Sequence, residues 1–147
     1  MKIISPNTET DFEKYYNFRW QMLRAHWQQP PGSEQDDLEH ESVHVMAVDD
    51  DNSVIAIGRI HFLNDSSAQI RYMAVADDRQ KQGLGQQILL TLEQYGINNK
   101  CKYIRLHARE SAIGFYQKQG YQIVEKSHLL FSTIQHYEML KTLRIEE

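Results

Sequence analysis

Ile70-Arg71-Tyr72-Met73-Ala74-Val75-Ala76-Asp77-Asp78-Arg79-Gln80-Lys81-Gln82-Gly83-Leu84-Gly85 is the stretch whose reading decides the fold. Ala68 to Ala76 reads as a strand, and Asp77 to Gln82 ends it in polar turn residues. From Leu84 the period changes: Leu84, Ile88, Leu92 and Tyr95 recur at helical spacing with Leu89 beside them, and Gly96 marks the expected end. A strand, a glycine turn and a helix N-terminus form an anion site. The first helical N–H groups lack internal partners, and the dipole favours negative charge there. Gly83 and Gly85 let phosphate oxygens approach the backbone, while Arg79 and Lys81 add positive charge. Two other nucleotide motifs are excluded. Gly83-Leu84-Gly85-Gln86-Gln87-Ile88 lacks the third glycine of the dinucleotide fingerprint, and no Gly-Lys-Ser/Thr P-loop ending occurs.

Upstream, Lys2 to Ser5 predicts a short strand, and Thr10 or Asp11 is placed to cap a helix carrying Phe12, Tyr15, Tyr16, Phe18, Trp20, Met22 and Leu23. Pro30-Pro31 in the run Trp27 to Ser33 breaks that helix, because consecutive prolines cannot continue its hydrogen bonding. An acidic patch, Glu34 to Glu41, follows. Val43 to Val48 and Val54 to Leu63 then predict two strands joined by the turn Asp49 to Asn52, and Asn64 to Ser67 leads into the strand at Ala68. Downstream, Tyr103 to Ala108 reads as a strand, Ser111 to Gln119 as a short helix, Tyr121 to Val124 as a strand, and about Gln135 to Leu143 as the last strand of the sheet. The order predicts a mixed α/β, α+β type fold in one domain over residues 1–147.

With 147 residues and 41% hydrophobic residues, the chain has enough apolar side chains for a core. Its 16 Lys plus Arg against 20 Asp plus Glu give a formal charge of -4, which excludes the broad basic footprint of a nucleic-acid binder. The single Cys101 has no disulfide partner within the chain, no apolar run is long enough to span a membrane, and the expected compartment is the cytoplasm.

The segment Gln80-Lys81-Gln82-Gly83-Leu84-Gly85 resembles the Gln/Arg-x-x-Gly-x-Gly/Ala signature of the GNAT superfamily of N-acetyltransferases, in its setting after Ile70 to Val75. Ala112-Ile113-Gly114-Phe115-Tyr116-Gln117-Lys118-Gln119-Gly120-Tyr121 is similar to the family's second motif, Ala-x-x-Phe-Tyr-x-Lys-x-Gly-Phe/Tyr, and the resemblance is close from roughly Val45 to Tyr121. It implies a mostly antiparallel central sheet with one splayed parallel strand pair, flanked by helices, and acetyl-CoA as donor substrate with no metal. Backbone groups of Met73, Ala74 and Val75 would then meet pantetheine, and Gln80, Lys81, Gln82, Gly83, Leu84, Gly85 and Gln86 would hold the pyrophosphate. Tyr116 matches the tyrosine that protonates the leaving thiolate. The acceptor would be an amine of a small molecule or peptide, and a homodimer is the other candidate assembly. A non-catalytic acyl-CoA sensor on the same fold is the rival reading.

His107, at the end of a strand facing the expected cleft, is the first candidate for general base, with Glu110 and His61 behind it. Arg109 stands where many relatives carry Asn. The segment Arg19 to Arg24, with Trp27 and Pro30 to Glu34, falls where relatives place acceptor-binding elements, and Asp36, Asp37, Glu39 and Glu41 are placed to attract a cationic amine. His40-Glu41-Ser42-Val43-His44 matches the His-Glu-x-x-His zinc protease motif, which requires a helix where Val43 to Val48 alternates as a strand. Cys101 lies away from both motifs, which disfavours a covalent cysteine route.

Overall fold

The computed structural model describes residues 1–143, so the last four residues of the expected domain lie outside the described residues. Its elements in chain order are β1 (Lys2–Ile4), α1 (Glu9–Leu23), β2 (Ser42–Val48), β3 (Val54–Phe62), β4 (Ser67–Val75), α2 (Leu84–Asn98), β5 (Tyr103–Arg109), α3 (Ile113–Lys118), β6 (Gln122–Leu130) and β7 (Ile134–Thr142). The strands form one seven-stranded sheet in the order β1-β2-β3-β4-β5-β7-β6. Only β4 and β5 run parallel, with α2 as the crossover between them; the other neighbours are antiparallel. The expected mixed fold with one parallel pair is the fold observed.

Each face of the sheet has its own core. Ile55, Ile60, Ile70, Ile104 and Leu106 pack against Ile88, Leu89 and Leu92 of α2, and Ile113, Phe115 and Tyr116 of α3 lean on the same cluster. On the opposite face, Tyr15 and Phe18 of α1 pack on Met46, Val48 and Ile57. Helices therefore cover both faces around the β4–β5 pair.

Several element ends differ from the sequence reading. The α1 cap is Thr8: its hydroxyl accepts from the Asp11 N–H at 3.0 Å, and the Asp11 carboxylate accepts from the Thr8 N–H at 3.3 Å, so Asp11 closes a capping box. Gly96 does not end α2. It lies inside the helix, where an added Cβ would come within 3.3 Å of Leu143 and 3.4 Å of Ile104, so close packing is its purpose. β6 continues to Leu130, well past Val124; as an edge strand it is mostly exposed and polar, which hid its length. No helix among the described residues is long and apolar enough to cross a membrane.

Candidate active site

β4 and β5 pair from Ser67 opposite Tyr103 to Ile70 opposite Leu106, and then part. The cause lies on the other edge of β4. Ile57 pairs with Ala74 and Arg59 with Arg71, so Tyr72 and Met73 together face the single residue Gly58. This is a bulge, with Tyr72 at φ 59°, and it turns Met73 to Val75 away from β5. The Tyr15 hydroxyl donates to the Gly58 carbonyl at 3.2 Å, satisfying it beside the irregularity. Gly58 also admits α2: a Cβ there would lie 2.7 Å from both Ile88 and Leu92. The β5-facing edge of Arg71 to Val75 is left unpaired, open to another extended chain.

At the end of this edge stands the turn into α2. Gly83 caps the helix at φ 81°, with no side-chain hydrogen bond to the helix end. The first internal bond runs from the Gln87 N–H to the Gly83 carbonyl, leaving the N–H groups of Leu84, Gly85 and Gln86 ahead of it without helical partners. Leu84 turns its side chain into the core, so only its backbone faces the turn. Gly85 lies against Phe115, whose ring atoms would be 3.4 Å from an added Cβ. Gln80, Lys81, Gln82 and Gly83 are exposed, and the Gln80 amide donates to the Val75 carbonyl at 3.3 Å. Arg79 differs from expectation: Asp49 pairs with it at 3.3 Å, and Lys81 is left as the exposed cation of the turn. The open strand edge, the glycines at the start of α2 and its unpartnered N–H groups fit a pantetheine diphosphate.

Where the strands part, a cavity of about 230 Å³ opens, lined by residues that include Met73, His107, Arg109 and Tyr116. The Tyr116 hydroxyl donates to the Met73 sulfur at 3.6 Å, and burial pushes its pKa up to about 12 against the opposing charge of Arg109. His107 alternates with the core residues Leu106 and Ala108, so it faces the α1 side while Tyr116 packs on the α2 side. Both line the cavity. Burial, and then His128 with its ring 5.4 Å away, hold the His107 pKa below the usual histidine value. His128 stacks on His136 at 4.5 Å, and both line the cavity. His128 lies beyond the point where the sequence reading ended β6, His136 lies in the expected last strand, and nothing in their spacing marked either. Glu110 is exposed and His61 is buried against Arg59 at 3.3 Å; neither lines the cavity.

From the α1 side come Leu23, Arg24 and Trp27. Trp20 does something else: its indole N–H donates to the Gln29 carbonyl at 2.9 Å and ties the proline loop to α1. The acidic patch also departs from expectation. Arg59 forks onto Asp36 at 2.7 and 2.9 Å and reaches Glu39 at 2.8 Å, Arg19 pairs with Glu39 at 2.9 Å, and Arg71 with Asp36 at 2.7 Å. Arg19 and Arg59 are fully buried. Asp36 and Glu39 are thus spent on internal arginines, and neither lines this cavity. His40 sits in a short 3-10 turn, Glu39–Glu41, and His44 in β2. Both His44 nitrogens are engaged, Nδ1 with the Tyr15 hydroxyl at 2.9 Å and Nε2 with the Glu39 carbonyl at 2.8 Å, so the pair presents no shared metal geometry. Among the described residues no group of three metal-binding side chains comes together.

Residues 12–121 match the model of the Acetyltransferase (GNAT) family. The chain is 26% identical to the uncharacterized N-acetyltransferase YjcF of Bacillus subtilis strain 168 over 141 residues, 96% of this chain and 99% of that protein. Among solved structures, an acyl-CoA N-acyltransferase from Pseudomonas aeruginosa superposes with a TM-score of 0.81 at 19% identity, covering 95% of this chain and 97% of that one. An aminoglycoside 6'-N-acetyltransferase complexed with coenzyme A gives 0.80 at 17% identity, covering 100% and 99%. Together with the parted strands and the glycine turn, these matches establish that the chain belongs to the GNAT family of acetyltransferases and is an acyltransferase.

Proposed function

We propose that the protein transfers the acetyl group of acetyl-CoA directly to a primary amine, in one transferase domain working in the cytoplasm, where the buried Cys101 stays a thiol. The observation that carries the reading is the open β4 edge running from the bulge at Tyr72 to the glycine-capped N-terminus of α2, with Tyr116 beside its midpoint Met73. The donor supplies an activated thioester. Backbone groups of Met73 to Val75 align its extended arm. The N–H groups of Leu84, Gly85 and Gln86, with Gln80, Lys81, Gln82 and Gly83 around them, hold the diphosphate.

An ordinary amine with a pKa near 10.4 is neutral in roughly one molecule in 2,500 at pH 7, so the site must remove a proton. His107, kept neutral by burial and facing the cavity, accepts it. The amine nitrogen bonds to the acyl carbon, the carbon–sulfur bond breaks, the sulfur leaves with its electron pair, and the excess proton on the new amide nitrogen passes to that thiolate, giving amide and free thiol. Tyr116 stabilises that sulfur by donating a hydrogen bond. With its phenol at about 12 and a thiol near 8.5, full proton transfer would run about 3.5 pH units uphill, so the hydrogen bond itself is the larger contribution.

Calorimetry with acetyl-CoA tests the donor half, and an amine panel with thiol-release detection tests the transfer. Micromolar binding followed by acetyl-dependent release is expected. Binding with no release across small-molecule and peptide amines would replace the enzyme with a sensor. No binding by folded protein would end both readings.

A further inference from the structure

The Tyr72 ring is surrounded by guanidinium groups: Arg19 at 4.1 Å, Arg71 at 4.5 Å, Arg59 at 4.9 Å and Arg24 at 5.7 Å from its centroid. Arg19, Arg59 and Arg71 are each paired with Asp36 or Glu39. Arg24 differs. It is only 9% exposed, its Nε donates to the Ser33 carbonyl at 3.2 Å and its Nη1 to the Leu23 carbonyl at 3.0 Å, and among the described residues it forms no ion pair. Glu34, the third acid nearby, accepts instead from the Gly32 N–H and the Gln35 amide. Burial together with Arg71 and Arg19 lowers the Arg24 pKa, against the opposing pull of Tyr72 and Glu34. A guanidinium stays charged at neutral pH all the same. Its Nη2 makes no hydrogen bond among the described residues, and Arg24 lines the cavity that contains Met73 and Tyr116.

The rest of the lining has the same sign. Arg24, Arg71 and Arg109 line the cavity, and no Asp or Glu does. Such walls disfavour an ammonium ion and lower the pKa of an amine placed among them, which eases its deprotonation, but they need an anion to offset the buried charge. At about 230 Å³ the cavity lies below the roughly 300 to 1,000 Å³ of drug-sized sites, which fits an acceptor of amino-acid size.

Building on the acetyl-transfer reading, we infer that the acceptor is an amine that also carries an anionic oxyacid group, carboxylate or phosphate, held by Arg24 and Arg71. Arg71 commits Nη1 to Asp36, is 39% exposed and lines the cavity. Two guanidinium groups, Arg24 through the Nη2 that is free among the described residues, suit the planar geometry of oxyanions better than lysines would. The anionic group is unchanged in the reaction; only the amine nitrogen gains the acetyl carbon.

Matched amines test this. The probes are L-amino acids against their amides and their decarboxylated amines, phosphoethanolamine against ethanolamine, and spermidine as the cationic extreme. Each is measured for kcat/KM with acetyl-CoA and for calorimetric binding to the protein saturated with coenzyme A. The acids should exceed their uncharged counterparts by about 10- to 100-fold, the loss expected for charge-assisted hydrogen bonds. Preference for the amino acids assigns a carboxylate, and preference for phosphoethanolamine a phosphate. Arg24→Gln should raise KM for the acid about 10-fold while leaving acetyl-CoA affinity unchanged. Arg71→Gln, at a more exposed position, should do the same if Arg24→Gln does not fold. Spermidine or neutral amides serving as well as the acids, with acetyl-CoA still bound, would overturn the anion site alone. Loss of acetyl-CoA binding in the wild type would remove the transferase reading beneath it.

Discussion

The two halves of the cleft are made of different materials. The half we assign to the donor is backbone: an unpaired edge from Arg71 to Val75 and three N–H groups without helical partners at the start of α2. The α1 side is side-chain charge: Arg71 lines the cavity and ties it to a network behind it, brought together from α1, the loop after it, β3 and β4 through the pairs Arg19–Glu39, Arg59–Asp36 and Arg71–Asp36. Backbone sites tolerate many side chains so long as the chain bends correctly. A buried ionic site tolerates few, because removing one partner strands the other in a poorly solvated place.

Breaking the ionic network behind the cavity should have the largest effect on stability. Glu39→Ala leaves Arg19 and Arg59 without their shared carboxylate, and denaturant unfolding should show a loss of about 3 to 5 kcal/mol. A loss below about 1 kcal/mol would mean that water already reaches the network. Tyr116→Phe addresses the donor half and should separate chemistry from binding. We expect kcat to fall about 100-fold with acetyl-CoA affinity and melting temperature nearly unchanged, and equal turnover would remove Tyr116 from the mechanism. Gly58→Ala tests where the halves join, since its Cβ would overlap Ile88 and Leu92. Overpacking of about 1 to 3 kcal/mol should appear in the unfolding curve, with acetyl-CoA binding weakened if α2 shifts.

Two pH effects are smaller and distinguish the halves further. With His107 as base, kcat should rise with pH through a midpoint below 6.5, and His107→Gln should remove that limb. Burial works to raise the Asp36 pKa, but its hydrogen bonds with Arg59 and the Leu38 N–H, and the charges of Arg59 and Arg71, outweigh it and hold the carboxyl well below the usual range. Its stabilising contribution is therefore full above about pH 4 and lost as pH falls toward its folded value. Asp36→Asn should flatten the acid limb of an unfolding titration; an unchanged limb would show that the Arg59 fork carries no net stability.

What could be read in advance follows the same division. The donor turn is contiguous, and Gln80 to Gly85 with Ala112 to Tyr121 carries its geometry in local spacing. The ionic network is not local: Arg19 and Glu39 are twenty residues apart and meet only after the sheet forms, so the acids of the run Glu34 to Glu41 read as an attractor for a cationic amine and not as partners of internal arginines. Gly58 read as an ordinary strand residue because its neighbours Ile88 and Leu92 are thirty or more positions away. The bulge at Tyr72 was equally silent, since a tyrosine at φ 59° has no sequence signature of its own.

Cys101 is the one cysteine of the chain, and it is buried at 4% exposure with its thiol pKa raised by burial and then by Asp65. A sulfhydryl both covered and protonated is a poor nucleophile toward an activated thioester. The protein is therefore spared acylation by its own donor, and a colorimetric thiol reagent added to the native protein will count released coenzyme with almost no background from the catalyst.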